Sequence, residues 1–248
     1  RYKTKFIPVD SEHFSIWSII DGIDKKKIDK IILTASGGPF FKRNKFKLKK
    51  TLKQAINHPT WRMGKKISVD SATLMNKVFE IIEAKKIFNL ELNKFNILIH
   101  PKSYVHAIVK LKNGLIKIIA HDTNMKIPIF NSIYFKSNKY IKTKKIDLKV
   151  LNNLDFSEVP IKNFPLIKIL NKIPKNETLY ETILVTINDE LVNLFLSRKI
   201  SFDSIYLNLN KLINSKSFSK LKFKKLQNLA QIEKLNRFAR LKTKALSC

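Results

Sequence analysis

The chain is short of several things, and each shortage closes off a class of answer. It has one cysteine in 248 residues, Cys248 at the end, so no intramolecular disulfide can form and a reducing interior is expected. No apolar run approaches the roughly 18 residues of a membrane span, so no membrane partner is expected. Acidic residues are scarce: 19 Asp and Glu stand against 49 Lys and Arg, a formal charge of +30. That excess invites a nucleic-acid reading. Yet six of the basic residues are Arg and 43 are Lys, and bidentate recognition of bases and phosphates favours Arg. The lysines run throughout the chain with Asn, Ile and Phe, as codon drift in an AT-rich genome would leave them. No nucleic-acid partner is therefore expected, and a polyanion-binding surface is the rival reading. The chain opens on Arg1 rather than Met and is read as the remainder of a longer protein.

Glycine is nearly absent too. Of five, Gly22 and Gly114 sit in Asp-Gly and Asn-Gly turn pairs. Gly37, Gly38 and Gly64 fall in "ASGGPF" and "WRMGKK", where backbone approaches something closely or the chain simply loops.

What is present builds a core: 44% of the residues are apolar. Periodicity predicts a strand at Lys5–Val9, a helix at Ser11–Ile20, a strand at Lys30–Thr34 and a helix near Lys50–Ile56. A helix Ser71–Phe88 and strands Asn96–His100, Val105–Lys110 and Leu115–Ala120 follow. The predicted class is α/β: an α+β domain with a mixed sheet over 1–135, a Lys- and Asn-rich linker over 136–160, and a small all-α domain over 161–248. In the last, Ile183, Ile187, Leu191 and Leu194 recur at three- and four-residue intervals.

Chemistry concentrates in "MGKKISVDSATLMNKVFE", residues 63–80. On a helical projection Thr73, Asn76, Lys77 and Glu80 share one arc, with Leu74, Met75, Val78, Ile81 and Ile82 opposite. A solvated polar stripe is the plain alternative. Ser68, Asp70 and Ser71 precede or open the helix, where backbone N–H groups favour an anion, although a hydroxyl there also serves as an N-cap. Lys77 could reach a bound phosphate. In "PVDSEH", residues 8–13, Asp10 and Glu12 project to one side of an extended backbone. With Glu80 they make three hard oxygen ligands suited to Mg²⁺ or Mn²⁺; the plain alternative for Asp-Ser-Glu is a helix N-cap. His13 could support the metal ligands from behind. His58 lies in "HPTW", a stiff loop whose Trp61 could cover a ligand, and His100 is read as structural.

These stretches resemble one family, 1-deoxy-D-xylulose 5-phosphate reductoisomerase. "PVDSEH", "ILTASGGPF", "HPTWRMGKKISVDSATLMNKVFEIIEA", "LIHPKSYVHAIV" and "NMKIPI" stand in family order over residues 8–129. The resemblance implies an NADPH-dependent rearrangement and reduction of 1-deoxy-D-xylulose 5-phosphate to 2-C-methyl-D-erythritol 4-phosphate, in the bacterial cytoplasm, by a homodimer. It implies a divalent metal, Mn²⁺, Mg²⁺ or Co²⁺, on Asp10, Glu12 and Glu80. Ser11 and Glu12 would meet the substrate, and Ser36, Ser71, Asn76 and Lys77 would hold its phosphate and nearby hydroxyls. His58 would contact the sugar, Trp61 and Met63 would cover it, and Gly64 would admit the nicotinamide. Glu12, His58 and Glu80 would be the catalytic groups.

Some positions depart from the family pattern. Ala35 and Val78 stand where glycine is usual, Thr60 and Asn124 replace Asn and Asp, and Asn188-Asp189 replaces Asn-Glu. None is a proposed ligand. The family's dinucleotide-binding domain, which precedes "PVDSEH", is missing, and no G-x-G-x-x-G occurs in the chain. These residues alone are expected to reduce nothing.

Overall fold

A computed structural model of the chain describes residues 4, 6–41 and 50–246. In chain order the described elements are α1 (Ser11–Ile20), β1 (Ile28–Ala35), α2 (Leu52–Ala55), α3 (Lys65–Thr73), α4 (Met75–Phe88), β2 (Phe95–Ile99), β3 (Val105–Leu111) and β4 (Ile116–Ala120). There follow α5 (Lys126–Tyr134), α6 (Leu148–Leu151), β5 (Ser157–Glu158), α7 (Leu179–Leu196), α8 (Phe202–Ile213), α9 (Lys216–Ser219) and α10 (Leu229–Lys244). They form two compact units, each made of two chain segments: Arg1–Gly37 with Glu80–Val159, and Gly38–Phe79 with Pro160–Cys248.

The first unit is a mixed sheet of order β4-β3-β1-β2-β5. β1 is central, parallel to β2 and antiparallel to β3. Its Ile28, Ile31 and Leu33 are fully buried, as expected of a near-continuous apolar strand inside a sheet. The parallel pairing demands a long crossover, and the 38–79 segment of the second unit is inserted in it. α1 packs on β3 and β4 and buries Phe14, Ile16, Ile19 and Ile20.

The second unit is helical. α7 is its axis, with Ile183, Leu184, Ile187 and Leu191 wholly buried, and α3, α8 and α10 lie against it. The fold is thus α/β with a five-stranded mixed sheet and a helical unit, the predicted class.

Local differences from the sequence expectation have physical causes. Residues 6–9 form no strand; instead the Asp10 side chain caps α1, accepting from the backbone N–H of Glu12 and His13. The predicted helix Ser71–Phe88 is two helices, broken where Leu74 takes a left-handed conformation (φ 60, ψ 18). The Thr73 hydroxyl donates to the Asp70 carbonyl and accepts from Met75 N–H, diverting the helical ladder. A leucine in that conformation costs about 1–2 kcal/mol, which burial to 1% exposure offsets. Ser68, Asp70 and Ser71 therefore lie inside α3 rather than at a helix start, and the N–H groups of a fresh N-terminus begin at Met75. The basic helix shrinks to the single turn of α2, closed by a Thr51–Gln54 capping box. Within 136–160, α6 and β5 form, and β5 pairs with β2. Lys5, most of the basic run Phe41–Lys50, and Cys248 fall outside the described residues.

Candidate active site

In the first unit, the N-terminus of α1 and the body of α4 bring three carboxylates together. Asp10 caps α1, Glu12 stands in its first turn, and Glu80 projects from α4. One oxygen from each lies within 4.8 Å of the others, Asp10 the most exposed and Glu80 the most enclosed. Among the described residues no other such cluster of His, Cys, Asp and Glu forms. Three anionic oxygens at that spacing repel one another unless a cation or a proton intervenes, and a hard, oxygen-only donor set suits Mg²⁺ or Mn²⁺ better than zinc. The Ser11 hydroxyl donates to the Glu12 carboxylate.

His13 joins the two remote stretches. It is buried, with Nδ1 3.1 Å from Asp10 Oδ1 and Nε2 2.9 Å from the Glu80 carbonyl oxygen. Burial pulls the imidazole down, but the bond and charge of Asp10, with Glu80 behind them, outweigh it and hold the pKa up at about 9. Protonated, the ring donates from both nitrogens and sets where Glu80 stands relative to Asp10.

The second unit holds most of the remaining predicted residues. His58 Nδ1 accepts from the backbone N–H of Thr60 (3.2 Å) and Trp61 (2.9 Å), which folds "HPTW" tightly around the ring and puts the proton of the neutral imidazole on Nε2. Burial, reinforced by the charge of Lys77, lowers its pKa to about 4, so His58 is neutral at physiological pH. Lys77 is itself buried at 3% exposure, beside partly exposed Asn76 at the start of α4. Ser71 is buried in α3. Its carbonyl oxygen would stand 3.0 Å from a Cβ on Gly38, whose φ of +61 independently favours glycine. Trp61 and Met63 are partly exposed. Gly64 caps α3 with nothing within 4 Å of a hypothetical Cβ, so among the described residues nothing demands glycine there. Ser36 follows β1 in the first unit, partly exposed.

Two further groups form networks that the sequence did not show. Asp70, buried in α3, accepts from Asn188 Nδ2 (2.8 Å) and pairs with Lys66 Nζ (2.9 Å), which also pairs with Asp189 (2.9 Å). Arg240 continues the chain of charges to Glu190 at 3.2 Å. Burial raises the Asp70 pKa against the pull of Lys66 and Asn188. In the first unit His106 and His121 stack, centroids 3.8 Å apart. Asp70 was visible only as a possible helix opener, and His121 carries no local motif. His100 keeps its structural reading, stacked on Phe156 and bonded to the Asp155 carbonyl.

Two family models match the chain: 1-deoxy-D-xylulose 5-phosphate reductoisomerase C-terminal domain over residues 6–88, and DXP reductoisomerase C-terminal domain over residues 122–242. The 1-deoxy-D-xylulose 5-phosphate reductoisomerase of Pelagibacter ubique is 55% identical, covering 100% of this chain and 64% of its own length. That of Persephonella marina is 41% identical over 86% of this chain and 57% of its own. Among solved structures, a DOX-P reductoisomerase in complex with NADPH, fosmidomycin and magnesium superposes with a TM-score of 0.88 at 28% identity, covering 97% of this chain and 63% of that one. The Zymomonas mobilis 1-deoxy-D-xylulose 5-phosphate reductoisomerase in complex with NADPH gives 0.85 at 29%, covering 97% and 61%. The chain thus spans less than two thirds of the length of these relatives.

Proposed function

Because the chain belongs to the 1-deoxy-D-xylulose 5-phosphate reductoisomerase family, we propose that it supplies the metal and phosphosugar site of an enzyme that rearranges and reduces 1-deoxy-D-xylulose 5-phosphate with NADPH. The observation that carries this reading is the meeting of Asp10, Glu12 and Glu80 from segments nearly seventy residues apart. A bound Mg²⁺ or Mn²⁺ there would polarise the substrate ketone and stabilise oxyanions developing on adjacent oxygens. Relatives solved with magnesium and with NADPH support those two cofactors.

The chain's own residues divide the remaining work. Asp10, Glu12 and Glu80 hold the cation, and His13 fixes the spacing of two of them. Lys77 lies three residues before Glu80 on the unbroken helix α4, so the two project from neighbouring positions of one face. Lys77, Asn76 and Ser71 bind the phosphate. His58, neutral and with its proton on Nε2, donates to a sugar oxygen without adding charge beside Lys77. Ser11 and Glu12 meet the reacting end of the sugar, Trp61 and Met63 exclude water, and Gly64 lets the nicotinamide approach. Phosphate binding remote from the reacting carbons orients them at the metal.

The residues described here hold the cation and the phosphosugar, and NADPH supplies the hydride within the intact protein. Assembly as a homodimer in the cytoplasm completes the proposal. The exposed Ile116 and Ile118 of edge strand β4 are apolar surface that such a partner would cover.

The test is NADPH oxidation by the intact protein with 1-deoxy-D-xylulose 5-phosphate and Mn²⁺, with the product identified. Turnover that is abolished in Glu80→Ala supports the assignment; normal turnover in that variant removes it. Salt-sensitive DNA binding without cation or phosphosugar binding would favour the polyanion reading instead.

A further inference from the structure

Asp70 and Asn188 have been given no work in the reaction, yet they tie the proposed phosphate ligands to the body of the helical unit. Those ligands sit on a corner. Ser71 lies in the last turn of α3, Asn76 and Lys77 open α4, and left-handed Leu74 stands between them. With neither glycine nor proline at the bend, the corner keeps its angle through the bonds that make it. A shift of either arm would change the spacing between the hydroxyl on one and the ammonium on the other.

Asp70 anchors the corner twice. Its carbonyl oxygen accepts from the Thr73 hydroxyl (3.1 Å), which in turn accepts from Met75 N–H (3.3 Å), so its backbone is linked across the bend to the first residue of α4. Its side chain is held from α7: Oδ1 accepts from Asn188 Nδ2 (2.8 Å), while Oδ2 pairs with Lys66 Nζ (2.9 Å). Asp70 is 2% exposed and Asn188 is fully buried.

The amide of Asn188 shows which of its ends matters. Its Oδ1 is buried and meets no hydrogen-bond donor among the described residues. A buried amide with its acceptor unmet is unfavourable unless the bond it donates compensates, and a bond to a carboxylate is of the stronger, charge-assisted kind. Lys66 also pairs with Asp189, the neighbour of Asn188 on α7, at 2.9 Å. Lys66 and Asp70 stand four residues apart, so α3 is fastened to α7 at two successive turns, the second ending immediately before Ser71.

We propose that Asn188 and Asp70 are positioning residues for the substrate's phosphate: they hold the α3–α4 corner so that Ser71, Asn76 and Lys77 converge on one phosphate group, without touching it themselves. The inference rests on the phosphate assignment above.

The probe is inorganic phosphate, titrated into the intact protein by calorimetry, with Mn²⁺ titrated separately to report the carboxylate cluster. Asn188→Leu removes the donor and keeps the volume. Thr73→Val cuts the bond across the bend and is the second variant if the first does not fold. Asp70→Asn keeps an acceptor for Asn188, which Asp70→Ala does not. Arg240→Met loosens the far end of the same chain of charges and controls for stability alone. Loss of one hydrogen bond predicts a Kd for phosphate about fivefold weaker in Asn188→Leu, Thr73→Val and Asp70→Ala. Asp70→Asn and Arg240→Met should stay near the wild-type value, and Mn²⁺ affinity should hold in all five. Wild-type phosphate affinity in Asn188→Leu and Thr73→Val, with binding lost in Lys77→Met, would overturn the positioning role alone. An equal loss in Arg240→Met would do the same. Undiminished phosphate binding in Lys77→Met would overturn the phosphate assignment and this inference with it.

Discussion

Two clusters of carboxylates in this molecule obey opposite rules. Around Asp70, charges alternate: Lys66 stands between Asp70 and Asp189, and Arg240 between Asp189 and Glu190. At Asp10, Glu12 and Glu80, like charges converge within 4.8 Å. Alternation offsets the cost of burying Asp70 from within the chain and needs nothing from solution. Convergence is repulsive and would be relieved by a bound cation. The first cluster holds helices together; the second is the place proposed for the cation.

Substitutions can break that contrast. The largest effect is expected from Glu80→Gln: Mn²⁺ affinity measured by calorimetry should fall by about a hundredfold or more, as expected when a carboxylate ligand is lost. The metal-free protein should unfold at the same temperature or higher, because a repulsive charge is gone. Asp70→Ala should do the reverse. It leaves Lys66 and Asn188 without their buried partner, and denaturant unfolding should show a loss of about 2–4 kcal/mol. Its Mn²⁺ affinity should hold.

Between these lies Gly38→Ala. The added methyl would press on the Ser71 carbonyl at 3.0 Å in a backbone conformation with φ +61, and about 1–3 kcal/mol of stability should be lost. Affinity for inorganic phosphate, measured by competition, should drop as Ser71 shifts.

The smallest effect is a pH dependence. His58 has its pKa lowered from 6.5 to about 4, so the unfolded chain binds more protons between those values. Its contribution is fully present above 6.5 and is lost as pH falls toward 4. Because His58 is partly exposed, the loss is discounted to about 1 kcal/mol. The difference in unfolding free energy between pH 7.5 and 4.5 should narrow by that amount in His58→Gln.

Much of this was legible in the residues. The unbroken apolar runs announced β1 and β2, and α1 was readable to its ends because Asp10 is a strong cap. "PVDSEH" was open to a cap or a ligand reading, and the structure makes Asp10 a cap whose carboxylate also joins the cluster. The juxtaposition of Asp10 with Glu12 comes from a helix start, not from strand alternation. The break at Leu74 was hidden because neither glycine nor proline marks it; a buried leucine and a threonine hydroxyl make it. β5 is two residues long, too short for any period to show. The network around Asp70 joins residues 118 positions apart, and the pairing of His106 with His121 depends on strand register, so neither leaves a local signature.

The order in which the segments leave the ribosome follows from the two discontinuous units. β1 emerges early, yet its neighbours β2 and β3 arrive only after the whole of the 38–79 insertion, and α7, the axis of the second unit, comes later still. The first segment of each unit must therefore wait, half-built, for its second: the first unit until residue 159 has been translated, and the second until the last third of the chain follows. Synthesis in a cell thus makes a demand on chaperones that the finished molecule conceals.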